Sequence, residues 1–129
     1  MSKGMNKNTN ITTVRQVQNI GPKVDWTTKK NKQLLASILE LKNTDEGARF
    51  LRDLMTPQEI EEFANRLEAA ALLSGDMQYN FITERTGLSS ATIARIAKWL
   101  GGPLGGYRLV LNRLHHSNPK LGKGLSLNS

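Results

Sequence analysis

Residues 89–98 combine small, hydroxylated and cationic side chains at a spacing that suits contact with nucleic acid. On a helix, Ile93, Ile96 and Ala97 fall on one apolar side, which leaves a polar side opposite. That polar side consists of Ser90, Ala91, Thr92, Ala94, Arg95 and Lys98. Small residues allow close approach to base edges in a major groove, hydroxyls exchange hydrogen bonds with those edges, and cations attract phosphate. The segment therefore predicts a face that can enter a DNA groove.

Two short helices, over residues 79–86 and 90–100, are predicted to position this face. Gly87 between them tolerates the positive φ that a sharp exit from the first helix requires. Ser89 is a typical N-cap, because its hydroxyl accepts a backbone N–H that the first turn leaves free. The buried side of the pair is predicted to comprise Ile82, Leu88, Ile93 and Ile96. The pattern favours a helix-turn-helix, while plain packing of two helices in an all-α protein stays open from these residues alone.

Constellations typical of catalysis or metal binding are missing from the sequence. His115 and His116 are adjacent, so on a helix they point to different sides and do not chelate as an i, i+4 pair does. There is no cysteine, no glycine-rich phosphate loop followed by Lys-Ser/Thr, and no Ser/His/Asp arrangement with a structural context. We therefore expect neither an enzyme nor a metal site.

Charge is distributed unevenly along the chain. The 129 residues carry a formal net charge of +7 and a pI of about 10.0, which favours a polyanionic partner. Residues 43–78 contain eight acidic and three basic residues, whereas residues 79–116 contain one acidic and five basic residues. The predicted helix-turn-helix therefore belongs to the basic part, as expected when only one face of a protein meets phosphate.

The chain is expected to form one all-α domain of about six short helices between two flexible segments. We expect residues 1–28 to form a basic arm that could touch DNA. Residues 29–116 are expected to form the domain, and residues 117–129 a flexible tail. Besides the two helices above, the helices are predicted over 29–42, 45–54 with Thr44 as N-cap, 57–73 with a Thr56/Glu59 capping box, and 107–115.

The helices are short, so one chain can form only a small core, and several helices have wide apolar faces. Because a second copy would bury the apolar surface that remains, the sequence predicts a homodimer. No apolar run is long enough to span a bilayer, and the first residues have no apolar core of a signal peptide. We therefore expect a cytoplasmic protein without a membrane partner.

The run LMTPQEIEEFANRLEAAALLSGDMQYNFITERTGLSSATIARIAKWL, residues 54–100, resembles the Trp repressor family. The flanking segments Phe50–Leu54 and Gly106–Leu111 are most similar to the YerC/YecD-type Trp-repressor-like proteins. The resemblance implies an intertwined dimer of six-helix chains whose residues 79–100 dock in the major groove of double-stranded DNA.

The resemblance also implies which residues contact DNA. The family's base-reading positions correspond to Tyr79, Asn80 and Thr83 on the first helix, and to Ser90, Ala91, Thr92 and Ala94 on the second. Asn80 and Thr83 replace cations of the tryptophan-dependent members, so we expect a different operator. Ser89, Arg95 and Lys98 complete the predicted DNA-binding set.

The founding members of the family need L-tryptophan as co-repressor, held between two arginines that match Arg66 and Arg95. Two other positions of that candidate pocket differ, because Ile96 stands for a glycine and Trp99 for a serine. These larger side chains are expected to fill the cavity, so we expect no cofactor. Arg66 is then expected to pair with an acid of its own helix and Arg95 with phosphate.

The sequence thus predicts a sequence-specific DNA-binding transcriptional regulator, a repressor that works without tryptophan. Two alternatives stay open: a repressor activated by L-tryptophan, and a protein-interaction module that uses the helix-turn-helix fold with residues 43–78 as its contact. The salt dependence of binding distinguishes the second alternative. DNA binding through phosphates weakens steeply as ionic strength rises, whereas an apolar protein contact need not.

Overall fold

A computed structural model of the protein describes residues 23–117 and confirms the predicted all-α class. These residues form six helices and no strand: α1 Lys29–Leu39, α2 Thr44–Leu54, α3 Pro57–Ser74, α4 Tyr79–Thr86, α5 Ser90–Leu100 and α6 Gly106–Ser117. The predicted arm up to residue 22 and the predicted tail from residue 118 lie outside the described residues.

The chain divides into two compact units, one that ends at Ile60 and one that begins at Glu61. In the first unit, neither α1 nor α2 has a buried residue. Leu39 is 81% exposed and Leu54 is 51% exposed, although both belong to the apolar faces of their helices. The predicted single domain over residues 29–116 spans both units and stays a prediction.

Hydrogen bonds show where α1 ends and where α2 begins, and both boundaries differ from the prediction. The first helix ends at Leu39 rather than at residue 42, because the N–H of Glu40 turns to the Ser37 carbonyl oxygen at 3.2 Å. Asn43, and not Thr44, caps α2, since the Asn43 side-chain oxygen accepts the N–H of Glu46 at 2.9 Å. Both residue types are good N-caps, so the sequence did not distinguish them.

The start of α3 confirms the predicted capping box. The Thr56 hydroxyl accepts the N–H of Glu59 at 3.1 Å, and the Glu59 carboxylate accepts the N–H of Thr56 at 2.9 Å. The helix ends at Ser74, one residue later than predicted, and the N–H of Gly75 bonds to the Leu72 carbonyl oxygen at 3.1 Å. The capping box satisfies N–H donors at the start of the helix, and the N–H of Gly75 satisfies a carbonyl acceptor at its end.

The second unit has a small core to which three of its helices contribute. Its fully buried side chains are Ala69, Ala70 and Leu72 of α3, Ile82 of α4, and Ile93 and Ile96 of α5. Leu88 was predicted to be buried but is only partly buried, at the edge of this core. The core thus lies beneath the α4–α5 pair and fixes which side of α5 remains exposed. Among residues 23–117, no helix is long and apolar enough to cross a membrane.

Candidate DNA-binding surface

The turn between α4 and α5 depends on one backbone conformation. Gly87 has a φ of +73° and donates its N–H to the Thr83 carbonyl oxygen at 2.8 Å. A Cβ added at this position would meet no atom within 4 Å, so it is the dihedral angle and not space that favours glycine. The helix-turn-helix geometry predicted from Gly87 is therefore present.

Thr86 is a second determinant of the turn, and sequence reasoning missed it. Its buried hydroxyl donates to the Ile82 carbonyl oxygen at 2.7 Å and accepts the N–H of Leu88 at 3.2 Å. One side chain therefore links the last turn of α4 to the residue that follows Gly87. A hydroxyl residue directly before a turn glycine is the only signal in the sequence that could have indicated this role.

Ser89 fixes the first turn of α5. Its hydroxyl accepts the N–H of Thr92 at 3.1 Å, and the Ser89 and Thr92 hydroxyl oxygens are also 3.1 Å apart. The Ser89 backbone is extended, with φ −71° and ψ 158°, as an N-cap requires. The cap therefore holds Thr92, a predicted base-reading residue, at the start of the helix.

Burial divides α5 into two sides, as its sequence predicts. Ile93 and Ile96 are fully buried, and Thr92 is half-buried. The exposed residues of α5 and its cap include Ser89, Ser90, Ala91, Ala94, Arg95 and Lys98. We call this exposed set, together with Thr92, the α5 surface.

The predicted DNA-binding residues of α4 are accessible as well. Tyr79 and Asn80 are exposed and Thr83 is half-buried. All three belong to the helix that packs directly against α5. The structure therefore leaves every sequence-predicted DNA-binding residue at least partly open to solvent.

Arg66 of the candidate ligand pocket is engaged within its own helix. Its Nη2 lies 2.6 Å from the Glu62 carboxylate, and its guanidinium carbon lies 5.3 Å from the Phe63 ring centroid. The predicted ion pair to an acid of the same helix is thus present. Burial raises the pKa of the Tyr107 phenol, and the nearby positive charge of Arg66 partly opposes that rise.

The other candidate pocket positions differ in burial. Ile96 is fully buried within the core of the second unit, and Trp99 is half-buried. Arg95 is exposed on α5. Within residues 23–117, no group of three or more His, Cys, Asp or Glu residues could hold a metal ion.

A model of the Trp repressor protein family matches residues 29–115, which include all six helices except the end of α6. The chain belongs to the Trp repressor family. It is 42% identical over 82 residues to the uncharacterized protein YerC of Bacillus subtilis (strain 168), a match that covers 64% of this chain and 79% of YerC. The predicted resemblance to this family and to YerC is confirmed.

A solved structure supports the same relationship at the level of the fold. The crystal structure of a TrpR-like protein from Eubacterium eligens ATCC 27750 matches with a TM-score of 0.64 and 39% identity. The match covers 69% of this chain and 92% of that protein. Proteins of this family are regulators rather than enzymes, so membership supports a DNA-binding regulator in general.

Proposed function

We propose that this protein is a homodimeric transcriptional repressor that reads the major groove of specific DNA sites with α5. The observation that carries the proposal is the division of α5, which buries Ile93 and Ile96 and exposes the α5 surface. An α-helix fits into a major groove about 12 Å wide, and small side chains at its start allow the backbone to come close to the bases.

The exposed residues suit two kinds of contact. Ser90, Ala91 and Thr92 occupy the start of α5, the part of a recognition helix that contacts base edges. Arg95 and Lys98 follow one and two turns later, where cations contact phosphate and hold the protein in register. Tyr79 and Asn80 at the start of α4 add exposed polar groups to the same helix pair.

The homodimer is proposed because exposed apolar side chains remain on several helices. They include Leu35, Ile38 and Leu39 of α1, Leu51 and Leu54 of α2, and Leu109 and Val110 of α6. A second copy would remove these side chains from water. It would also supply the two-fold symmetry with which helix-turn-helix dimers read two half-sites about one DNA turn apart. A DNA-bound regulator of this kind would work in the cytoplasm.

Independence from tryptophan is proposed from the candidate pocket. The Ile96 side chain belongs to the core, and the Arg66 guanidinium is already paired with Glu62 and lies over Phe63. An indole would have to displace packed groups before it could bind, whereas a preformed cavity would accept it directly. The retained pair of arginines, Arg66 and Arg95, is the observation that favours the alternative of a tryptophan-activated repressor.

The experiment that tests the proposal is selection of bound fragments from sheared genomic DNA by the purified full chain at near-physiological salt. The selection is done with and without L-tryptophan. Enrichment of the same few two-fold-symmetric sites in both conditions is the expected result. Enrichment only with L-tryptophan would identify the tryptophan-activated repressor, and no enrichment in either condition would contradict sequence-specific binding.

Variants then locate the binding surface. T92A and R95A are expected to weaken binding to an enriched fragment, and R95A should reduce the salt dependence by about one phosphate contact. R49A is the matched control, because Arg49 lies on α2 in an exposed ion pair with Asp45 and outside the α5 surface. Unchanged affinity in both T92A and R95A would show that α5 is not the DNA-reading helix.

A further inference from the structure

The C-terminal end of α5 is bound by a side chain of the next helix. Arg108, in the first turn of α6, donates from Nη1 to the carbonyl oxygen of Leu100 and, at 3.0 Å, to that of Gly102. Leu100 is the last residue of α5, and Gly102 belongs to the loop that follows. A helix leaves its last four carbonyl groups without donors of its own. One guanidinium therefore supplies a donor to the final carbonyl of α5 and another to the loop.

The loop between α5 and α6 is shaped so that this guanidinium fits. Gly105 has a φ of +69°, and a Cβ there would lie 2.9 Å from Nη2 of Arg108. At Gly102, a Cβ would lie 3.1 Å from the carbonyl oxygen of Lys98. Since glycine occupies both positions, the loop folds closely over the end of α5 and leaves open the volume that Arg108 fills.

Arginine suits this position better than any other cationic side chain. The C-terminal end of a helix is the negative end of its dipole, so a cation there is stabilising. The guanidinium is planar and rigid and presents donors in a fixed arrangement, whereas the lysine ammonium ends a flexible stem and is a point charge. Arg108 thus restrains the end of α5 opposite to the one that Ser89 caps.

We propose that Arg108 is a positioning residue for DNA reading, which holds α5 at the angle where the α5 surface meets the bases. The inference rests on the proposed function of α5. Base contacts depend on the geometry of the helix within the groove, whereas attraction to phosphate carries no sequence information. Loss of the Arg108 contacts should therefore weaken binding to a specific site more than binding to arbitrary DNA.

Three variants of the full chain distinguish an effect of the Arg108 hydrogen bonds on the position of α5 from an effect of the Arg108 charge. R108Q removes the charge and the paired contacts, and R108K keeps the charge but loses the rigid pair of donors. R113Q is the control, because it removes one exposed positive charge from the same helix without touching the α5 end. Each variant is titrated with a fragment enriched by the wild-type protein and with a scrambled duplex of the same length, at several KCl concentrations.

R108Q is expected to bind the enriched fragment roughly three- to tenfold more weakly, which corresponds to the loss of one ordinary hydrogen bond. Its affinity for the scrambled duplex and its salt dependence should stay close to those of the wild type. R108K should restore only part of the lost affinity for the enriched fragment. R113Q should leave the ratio of the affinities for the enriched fragment and the scrambled duplex unchanged. G105A should also weaken binding to the enriched fragment without a change of charge, because the guanidinium would have to move away from the added Cβ and the φ of +69° would strain the loop.

Two results would overturn the inference. An equal loss on both duplexes, with the salt dependence reduced by about one phosphate, would make Arg108 a phosphate contact. Wild-type behaviour of R108Q or R108K would show that the paired contacts do not matter for DNA reading.

Amide hydrogen exchange in the free protein tests the restraint itself. R108Q should speed exchange of the Gly101 and Gly102 N–H groups, which bond to Ala97 and Trp99 carbonyl oxygens at 3.1 Å each. Unchanged exchange would refute the restraint even if DNA affinity falls. If the wild-type protein enriches no fragment, the proposed function fails, and faster exchange in R108Q would still distinguish that failure from a failure of the restraint.

Discussion

Replacement of glycine by alanine is expected to have opposite effects at Gly87 and Gly47. At both positions the added Cβ would meet no atom within 4 Å apart from those of its own and the adjacent residues, so contacts with the rest of the protein do not decide the result. Gly87 has a φ of +73°, where an L-residue costs about 1–2 kcal/mol because its Cβ crowds the next carbonyl oxygen. Gly47 lies within α2, where alanine is favoured over glycine by roughly 0.5–1 kcal/mol.

The two free energies of unfolding should therefore differ by about 1.5–3 kcal/mol. Urea unfolding followed by far-ultraviolet circular dichroism measures both variants, at one fixed protein concentration because self-association would shift the midpoint. G87A should lower the midpoint and G47A should raise it. G87N should lose less than G87A, since asparagine tolerates the left-handed region. A shift of the same sign in G87A and G47A would refute the reasoning that φ decides the effect.

Three further predictions concern the helix end, the core and the candidate pocket. S89A should lower the free energy of unfolding by about 1 kcal/mol, because the N–H of Thr92 loses its acceptor, and thermal denaturation at fixed concentration measures it. Burial raises the pKa of Tyr107 above its ordinary value of 10.0, so the stability that its neutral form contributes is present below pH 10 and is lost as pH rises through the raised value. Y107F should therefore lose less stability than the wild type above pH 10, and equal losses would contradict the burial argument. The double variant I96G/W99S should acquire measurable L-tryptophan affinity by calorimetry, and no heat of binding would mean that more than these two side chains fills the site.

The parts of the fold that the sequence predicted correctly depend on local chemistry. The limits of α4 and α5 match the prediction because Gly87 and Ser89 each satisfy a backbone requirement within a few residues. The capping box at Thr56 and Glu59 is local in the same sense. The division of α5 into buried and exposed sides follows from helical period alone.

The features that the sequence did not predict depend on more distant or competing partners. The apolar run continues to Leu41, so the sequence does not indicate that α1 ends at Leu39. The helix ends there because the N–H of Glu40 bonds to the Ser37 carbonyl oxygen. Asn43 and Thr44 compete for the same cap. The contacts of Arg108 join residues six and eight positions apart across a loop, and a cation near a glycine-rich segment does not by itself indicate them.

The absence of any buried residue in α1 and α2 has a consequence for how the protein is made. Synthesis runs from the N-terminus, and domains generally fold in that order as they leave the ribosome. Here residues 23–60 belong to the unit translated first and bury no side chain, whereas the core of Leu72, Ile82 and Ile96 belongs to the unit translated last. We therefore expect a core to form only when the later unit has been synthesised. Leu39 and Leu54 remain exposed in the single chain, so chaperones would have access to these helices until the proposed second copy covers them.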